Sequence, residues 1–112
     1  MSYDYLLFIA PGPGDMASWD LVDPAPLGTP SEVQERLSRH FPQTSWRQFG
    51  DIIFGSSQIS PDGHSELQFS PDDDGQCRWL TARRVTRDDV LQLCRMLGLV
   101  AVDPQKMELI RP

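Results

Sequence analysis

The sequence predicts an α+β fold from two periodic patterns and from the order in which they occur. Short apolar segments that alternate with polar residues recur along the 112 residues, a pattern typical of strands. Two other segments place apolar residues at helical spacing, each after a threonine suited to capping. The predicted order is strand, helix, three strands, helix and strand, with an optional last strand. This order suggests a ferredoxin-like, split β-α-β sheet that is mostly antiparallel, with two helices on one face.

The first strand and the loop after it are marked by prolines. Residues 3–10 are apolar on both faces toward their end, so they predict a central strand. The strand ends at Pro11-Gly12-Pro13-Gly14, because proline cannot donate to the strand ladder and glycine loosens the backbone. Residues 11–29 are predicted to form a long loop, and a loop of this length in a compact domain is either functional or mobile.

Both helices are predicted from their ends and their apolar faces. Thr29 and Thr86 are the expected caps, since a threonine side chain satisfies a free backbone donor of the first turn. Pro42 ends the first helix by disfavouring helical geometry at the residue before it. Gly98 ends the second helix, because glycine suits a left-handed cap. The apolar faces are Val33, Leu37 and Phe41 in the first helix, and Val90, Leu93, Cys94 and Leu97 in the second.

The remaining segments are predicted as strands. They lie at residues 46–54, 66–70, 77–85, 99–102 and 107–110. The first of them has a bulge or bend at Phe49-Gly50. The next two pair as a hairpin around Asp72-Asp73-Asp74-Gly75, which is typical turn chemistry. All of these elements fit one domain over residues 1–112.

The charge balance excludes some classes of partner. The net charge is −6, from 16 acidic and 10 basic residues. Non-specific nucleic-acid binding and docking on anionic membrane both need a basic surface, so neither is expected. No apolar stretch approaches the ~20 residues of a membrane span, and residues 6–10 are too short for a signal-peptide core. We therefore expect a cytoplasmic protein in which Cys77 and Cys94 are reduced thiols.

The sequence motifs predict no enzyme, no cofactor and no metal site. The acidic run fails as a calcium loop, because the twelfth residue from Asp72 is Arg83 where a glutamate is needed. His40 and His64 have no zinc-binding spacing. Cys77 would form a nucleophilic pair with His64 only if the hairpin register joined them. No nucleophile elbow or phosphate loop is found.

One basic cluster surrounds Trp79. It consists of Arg78, Arg83, Arg84 and Arg87. Arginines on strands beside an aromatic residue are typical of nucleic-acid modules. Acidic neighbours on both sides favour a salt-bridged strand surface instead.

The function that remains is protein binding. We expect Trp19 and the acidic residues Asp72, Asp73 and Asp74 to hold a basic protein partner. The sheet face opposite the helices must be covered by the 11–29 loop, by a second subunit or by water. A homodimer that packs through this face, with a structural or small-ligand role, is the alternative. An enzyme with a site under the 11–29 loop is a third hypothesis.

Four segments also carry a resemblance. They are Met1-Ser2-Tyr3-Asp4, Phe49-Gly50-Asp51-Ile52, the hairpin from Glu66-Leu67-Gln68-Phe69 to Arg83, and Leu97-Gly98-Leu99-Val100-Ala101-Val102-Asp103. Through them the chain resembles a family of small bacterial proteins of unknown function. The resemblance implies an immunity-like or accessory role. It implies no catalytic residue, because the matched positions specify structure, and the 11–29 loop falls outside it.

Overall fold

The computed structural model describes residues 3–14, 24–57, 59 and 65–112. Over these residues seven strands form one antiparallel sheet, and two helices pack on it, which confirms the predicted α+β class. The helices are α1 Pro30–His40 and α2 Arg87–Leu97. The strands are β1 Tyr3–Phe8, β2 Ser45–Phe49, β3 Ile52–Ser57, β4 Ser65–Phe69, β5 Leu80–Val85, β6 Val100–Asp103 and β7 Glu108–Ile110.

The strand order is β2-β3-β4-β5-β1-β6-β7, so the ferredoxin-like prediction is wrong. The single bent strand predicted over residues 46–54 is instead a hairpin, β2–β3, which reverses at Gly50-Asp51. Gly50 adopts a φ of 60°, and glycine at the first position of a two-residue loop is typical of hairpin turns. Because consecutive strands pair locally, β2 to β5 form a meander and β1 pairs with its last strand.

The strands around β1 explain how α2 fits this order. β1 lies between β5 and β6 and is antiparallel to both. The two outer strands of this trio therefore run parallel to each other. α2 connects them across the sheet, as a long connection between parallel strands requires.

One hydrophobic core fills the space between the helices and one face of the sheet, here called the inner face. Buried residues of both helices belong to the same cluster, so both helices lie on this face. On the sheet, Leu7 pairs with Leu80 on one side and with Ala101 on the other, which extends the apolar row across three strands. The helix residues in the cluster are Val33, Leu37, Val90, Leu93 and Cys94.

Both helices begin at the predicted caps. The Thr29 Oγ1 accepts from the Glu32 N–H at 3.3 Å, and the Thr29 N–H donates to Glu32 Oε1 at 2.9 Å. Thr86 and Asp89 form the same reciprocal pair. The Thr29 N–H lowers the pKa of the Glu32 carboxyl by binding its charged form. α2 ends at Gly98, whose φ is 70°. Neither described helix has the length and apolarity needed to cross a bilayer.

The opposite face of the sheet, the outer face, has two parts. Across β1 and β6 it carries a second buried cluster of Phe8, Val100 and Val102. Across β2 to β5 the same face carries charged, polar and aromatic side chains that are at least partly exposed. They are Arg47, Phe54, Glu66, Gln68, Thr81 and Arg83.

The predicted 11–29 loop is described in part. Residues 15–23, and Trp19 with them, lie outside the described residues. Near the end of the loop, Leu27 is buried and Gly28 forms a β-bridge with Cys77. The Leu27 N–H donates to the Cys77 carbonyl and the Cys77 N–H donates to the Gly28 carbonyl, both at 2.7 Å. This end of the loop is thus joined by main-chain bonds to the connection between β4 and β5.

Candidate protein-binding surface

The predicted acidic residues lie together in a turn between β4 and β5. The Asp72 carbonyl accepts from the Gly75 N–H, and the Asp72 N–H donates to the Gln76 carbonyl, both at 2.9 Å. The Asp74 Oδ1 accepts from the Gln76 N–H at 3.0 Å. The turn predicted here is therefore confirmed. We call Asp72, Asp73 and Asp74, all exposed, the acidic turn.

Arg78 clamps two of the three carboxylates. Its Nη1 donates to Asp72 Oδ2 and to Asp74 Oδ1, both at 3.0 Å, and its Nη2 donates to Asp74 Oδ2 at 2.7 Å. The hydrogen bonds that Asp74 accepts from Arg78, and then the one from the Gln76 N–H, lower the pKa of Asp74 to about 2. Asp73 makes none of them, so its carboxylate stays available to a partner. One arginine against three aspartates leaves the acidic turn with two negative charges in excess.

Removing the clamp is expected to change how stability depends on pH. Arg78→Met should return the Asp74 pKa toward its usual 3.8. Because the wild-type pKa is lowered, the clamp stabilises the folded state above about pH 4, and this stabilisation is lost as the pH falls toward about 2. Arg78→Met should therefore have a lower melting temperature than the wild type at about pH 6. This difference in melting temperature should shrink as the pH falls from about 4 to about 2.

Thermal melts across this pH range measure the effect. Arg95→Met is the matched control, because Arg95 is an exposed arginine in the last turn of α2 and donates none of the hydrogen bonds to the acidic turn. A difference between wild type and Arg78→Met that stays constant from about pH 6 to about pH 2 would contradict the clamp.

Trp79 lies beside the acidic turn on the outer face. It is 42% exposed, and its ring lies 5.1 Å from that of Phe8 at a tilt of 56°. Together with Pro71, Arg78 and the acidic turn it lines an open cleft of about 590 Å³. A half-exposed indole beside ionised carboxylates offers a cation both a π face and a negative charge. The cleft is therefore suited to a basic side chain.

A second exposed apolar group lies on the β2–β3 hairpin. Phe49 is 64% exposed and Ile52 is 37% exposed, and the two are opposite each other in the ladder. Phe54 packs edge-to-face on Phe49 at 5.7 Å. The Arg47 guanidinium lies 6.0 Å from the centre of the Phe54 ring. Clustered, exposed apolar side chains of this size are typical of interaction sites.

The hairpin tip and the acidic turn lie at the same end of the sheet. Ile53, next to the tip, pairs with Phe69, and the acidic turn begins three residues after Phe69. β3 and β5 are separated only by β4, so they are about 10 Å apart. We call this group the acidic-aromatic surface: Phe49, Ile52, Phe54, Trp79 and the acidic turn.

The four arginines predicted to cluster around Trp79 do not share one environment. Three of them form ion pairs, but only Arg83 lies on a strand, since Arg78 precedes β5 and Arg87 belongs to α2. Arg84 lies exposed in a bulge between β1 and β5, at a φ of 57°. The pairs are Arg78 with Asp72 and Asp74, Arg83 with Asp4, and Arg87 with Glu108.

The two thiols are free and buried. Burial raises the pKa of both Cys77 and Cys94, that of Cys94 to about 11. The Cys94 thiol is therefore protonated near neutral pH and is a weak nucleophile. His64 lies outside the described residues, so the condition set for a pair with Cys77 is not tested. Within residues 3–14, 24–57, 59 and 65–112, no three His, Cys, Asp or Glu side chains are grouped to hold a metal ion.

The sequence predicts the acidic turn but misses the clamp and the exposed hairpin tip. A spacing of four between Asp74 and Arg78 across a glycine turn is the local pattern that favours the clamp. The apolar residues on both sides of Gly50-Asp51 are the pattern that favours a two-residue hairpin.

Comparison of the chain with protein-family models, with curated proteins and with solved structures found no match. The resemblance to small bacterial proteins therefore stays a prediction, and the function is argued from the surface itself.

Proposed function

We propose that this protein is a non-enzymatic binding protein that holds a basic protein partner on the acidic-aromatic surface. The observation that carries the proposal is the half-exposed Trp79 beside the acidic turn, at the same end of the sheet as the exposed Phe49. Interfaces are enriched in aromatic residues, and tryptophan is prominent among the residues that dominate binding energy. The net charge of −6 adds long-range attraction toward a basic partner.

The clamp supports the proposal because it fixes the acidic turn before a partner arrives. Three hydrogen bonds from Arg78 hold Asp72 and Asp74, so binding has little turn flexibility to remove. Asp73 then offers a carboxylate beside the Trp79 ring. A lysine or arginine of the partner can pair with that carboxylate while its cation lies over the indole.

The immunity-like role implied by the resemblance is one form of this proposal, in which the partner is a toxin. A cytoplasmic location belongs to the proposal as well. Free thiols such as Cys77 and Cys94 are maintained in a reducing compartment.

The test starts from the immobilised full chain, used to recover partners from its native cell extract, followed by calorimetry with the purified partner. We expect Trp79→Ala to weaken binding by about tenfold or more, because truncating a dominant interface residue costs about 2 kcal/mol. Asp73→Asn should weaken binding less, and the loss should fade as salt rises. Arg95→Ala, on an exposed position of α2, is the control and should bind as the wild type does.

Two results would contradict the proposal. One is an extract from which the wild type recovers no partner. The other is a recovered partner that binds Trp79→Ala and the wild type with equal affinity.

A homodimer packed through the outer face is the second candidate, favoured by the exposure of Phe49 and Ile52. Two copies would bury these side chains against each other, although equal net charges oppose the approach. Light scattering at micromolar concentration decides between the candidates. A stable dimer that Phe49→Ser separates would favour the homodimer, and a monomer at all concentrations would remove it.

A further inference from the structure

β2 lies at one edge of the sheet, and its side facing away from β3 has no partner strand among the described residues. β2 pairs with β3 over all five of its residues without a bulge, and four of those five are exposed. Natural edge strands are usually protected by proline, by bulges, by short length or by charged side chains, and of these β2 has only the one charge of Arg47. The other edge strand, β7, has only three residues and is followed closely by Pro112. β2 is thus the edge that can accept a further strand.

Hairpin geometry identifies the backbone groups that face away from the sheet. Phe49 and Ile52 flank the two-residue turn, so they form its closing hydrogen-bonded pair. Hydrogen-bonded and non-hydrogen-bonded pairs alternate along an antiparallel ladder. Trp46 and Gln48 therefore direct their backbone N–H and C=O groups away from β3, in the plane of the sheet. An added strand can form hydrogen bonds with these groups.

A groove runs beside this edge on the inner face. Its volume is about 180 Å³, and it lies between α1 and the start of the sheet. On the outer face, Phe49 and Phe54 form an apolar wall beside the same edge. Alternate side chains of an added strand would enter the groove and contact this wall, as strand addition requires. The residues lining the groove are Gln34, Trp46, Arg47, Gln48 and Ile53.

The edge is held rigidly in place by Trp46. Its Nε1–H donates to the Ser38 Oγ at 3.1 Å, which joins β2 to α1. Its ring packs edge-on against Phe69 at 5.8 Å. The indole also lies directly over Gly55 on the neighbouring strand. Little conformational entropy is therefore lost when another strand binds to this edge.

The charge on β2 decides which chain can occupy the edge. Two copies paired antiparallel in full register would place Arg47 opposite Arg47, and like charges directly opposite destabilise a strand pair. An acidic residue in that position would instead pair with Arg47. The guanidinium has donors to spare, because it uses one N–H group on Glu66 at 3.3 Å and carries five.

We infer that an extended segment of a different protein adds to the edge of β2 as a new strand, with an acidic residue opposite Arg47. The inference rests on the proposed function, since it describes how a protein partner is held. It adds main-chain bonding at β2 to the side-chain contacts of the acidic-aromatic surface.

A library of displayed random dodecapeptides, selected on the immobilised full chain, tests the inference. We expect enriched peptides to alternate apolar and polar residues and to share one acidic position. Gln48→Pro removes an outward N–H and should weaken binding of a labelled enriched peptide by about tenfold. Gln48→Ala keeps the N–H and is the matched control. Arg47→Glu should also weaken binding by about tenfold, because it places like charges opposite each other.

Thermal melts of each variant show whether it is folded. If Gln48→Pro does not fold, the loss of peptide binding by Arg47→Glu tests the inference instead. Three results would overturn the inference: no enriched peptide, an enriched peptide that binds Arg47→Glu as well as the wild type, or a peptide-free dimer that Gln48→Pro separates. None of these results would contradict the proposed function, which is tested separately by the affinity of Trp79→Ala for the recovered partner.

Discussion

Leu67→Ala is expected to lower the free energy of unfolding by about 3 to 5 kcal/mol, the upper part of the range for buried leucines. Leu67 is fully buried in the middle of β4, the third of the seven strands in the sheet order. Its neighbours on the inner face are Gly55 on β3 and Ala82 on β5, the residues with which it pairs. Because both are small, few atoms can move to refill the cavity, and most of its volume should remain.

Urea unfolding followed by circular dichroism measures this loss. Leu109→Ala is the control, since Leu109 is only partly buried on β7 and should cost about 1 kcal/mol. Equal losses for the two variants would contradict the prediction that a cavity remains at Leu67.

Gly55→Ala is expected to destabilise the protein by about 1 to 3 kcal/mol, although it adds a single methyl group. A Cβ at this position would lie 2.7 Å from the Trp46 ring and 2.9 Å from Thr44 Cγ2. The ring cannot move away easily, because Ser38 and Phe69 hold it on two sides. The strain should therefore spread into the β2–β3 hairpin and should also weaken peptide binding at β2.

Gly12→Ala is the matched control for this prediction. Nothing lies within 4 Å of a Cβ built at Gly12, so the change should leave the melting temperature nearly unaltered. The loss at Gly55 corresponds to a fall in melting temperature of at least about 4 °C. A Gly55→Ala variant as stable as Gly12→Ala would mean that Trp46 does not rest on Gly55.

The sequence predicts the local features of this fold well. Thr29 and Thr86 cap the helices because the bonds they make span only three residues. Gly98 and the acidic turn depend on equally short-range chemistry. Each of these features is determined by a few neighbouring residues, so it can be predicted without knowing the rest of the fold.

The strand order could not be predicted in the same way. It depends on whether Phe49-Gly50 bends one strand or reverses the chain between two, and a glycine permits either. The reversal at Gly50 adds a fourth strand between the two helices, where the sequence predicts three.

The acidic-aromatic surface also combines features that the local sequence determines with features that depend on the whole fold. The acidic turn follows from local composition, whereas the exposure of Phe49 depends on strand register and on which face the helices cover. Apolar residues are normally buried, so composition alone places Phe49 in the core. Trp19 lies outside the described residues, and its proposed role stays a prediction.

The unequal edges of the sheet limit how large an assembly can become. If β2 of one copy could pair with β7 of the next, a head-to-tail contact would repeat without closing and would generate a fibre. The three residues of β7, closed by a proline, offer too short a surface for that repeat. Head-to-tail growth along the sheet is therefore disfavoured, and concentrated solutions should stay free of filaments.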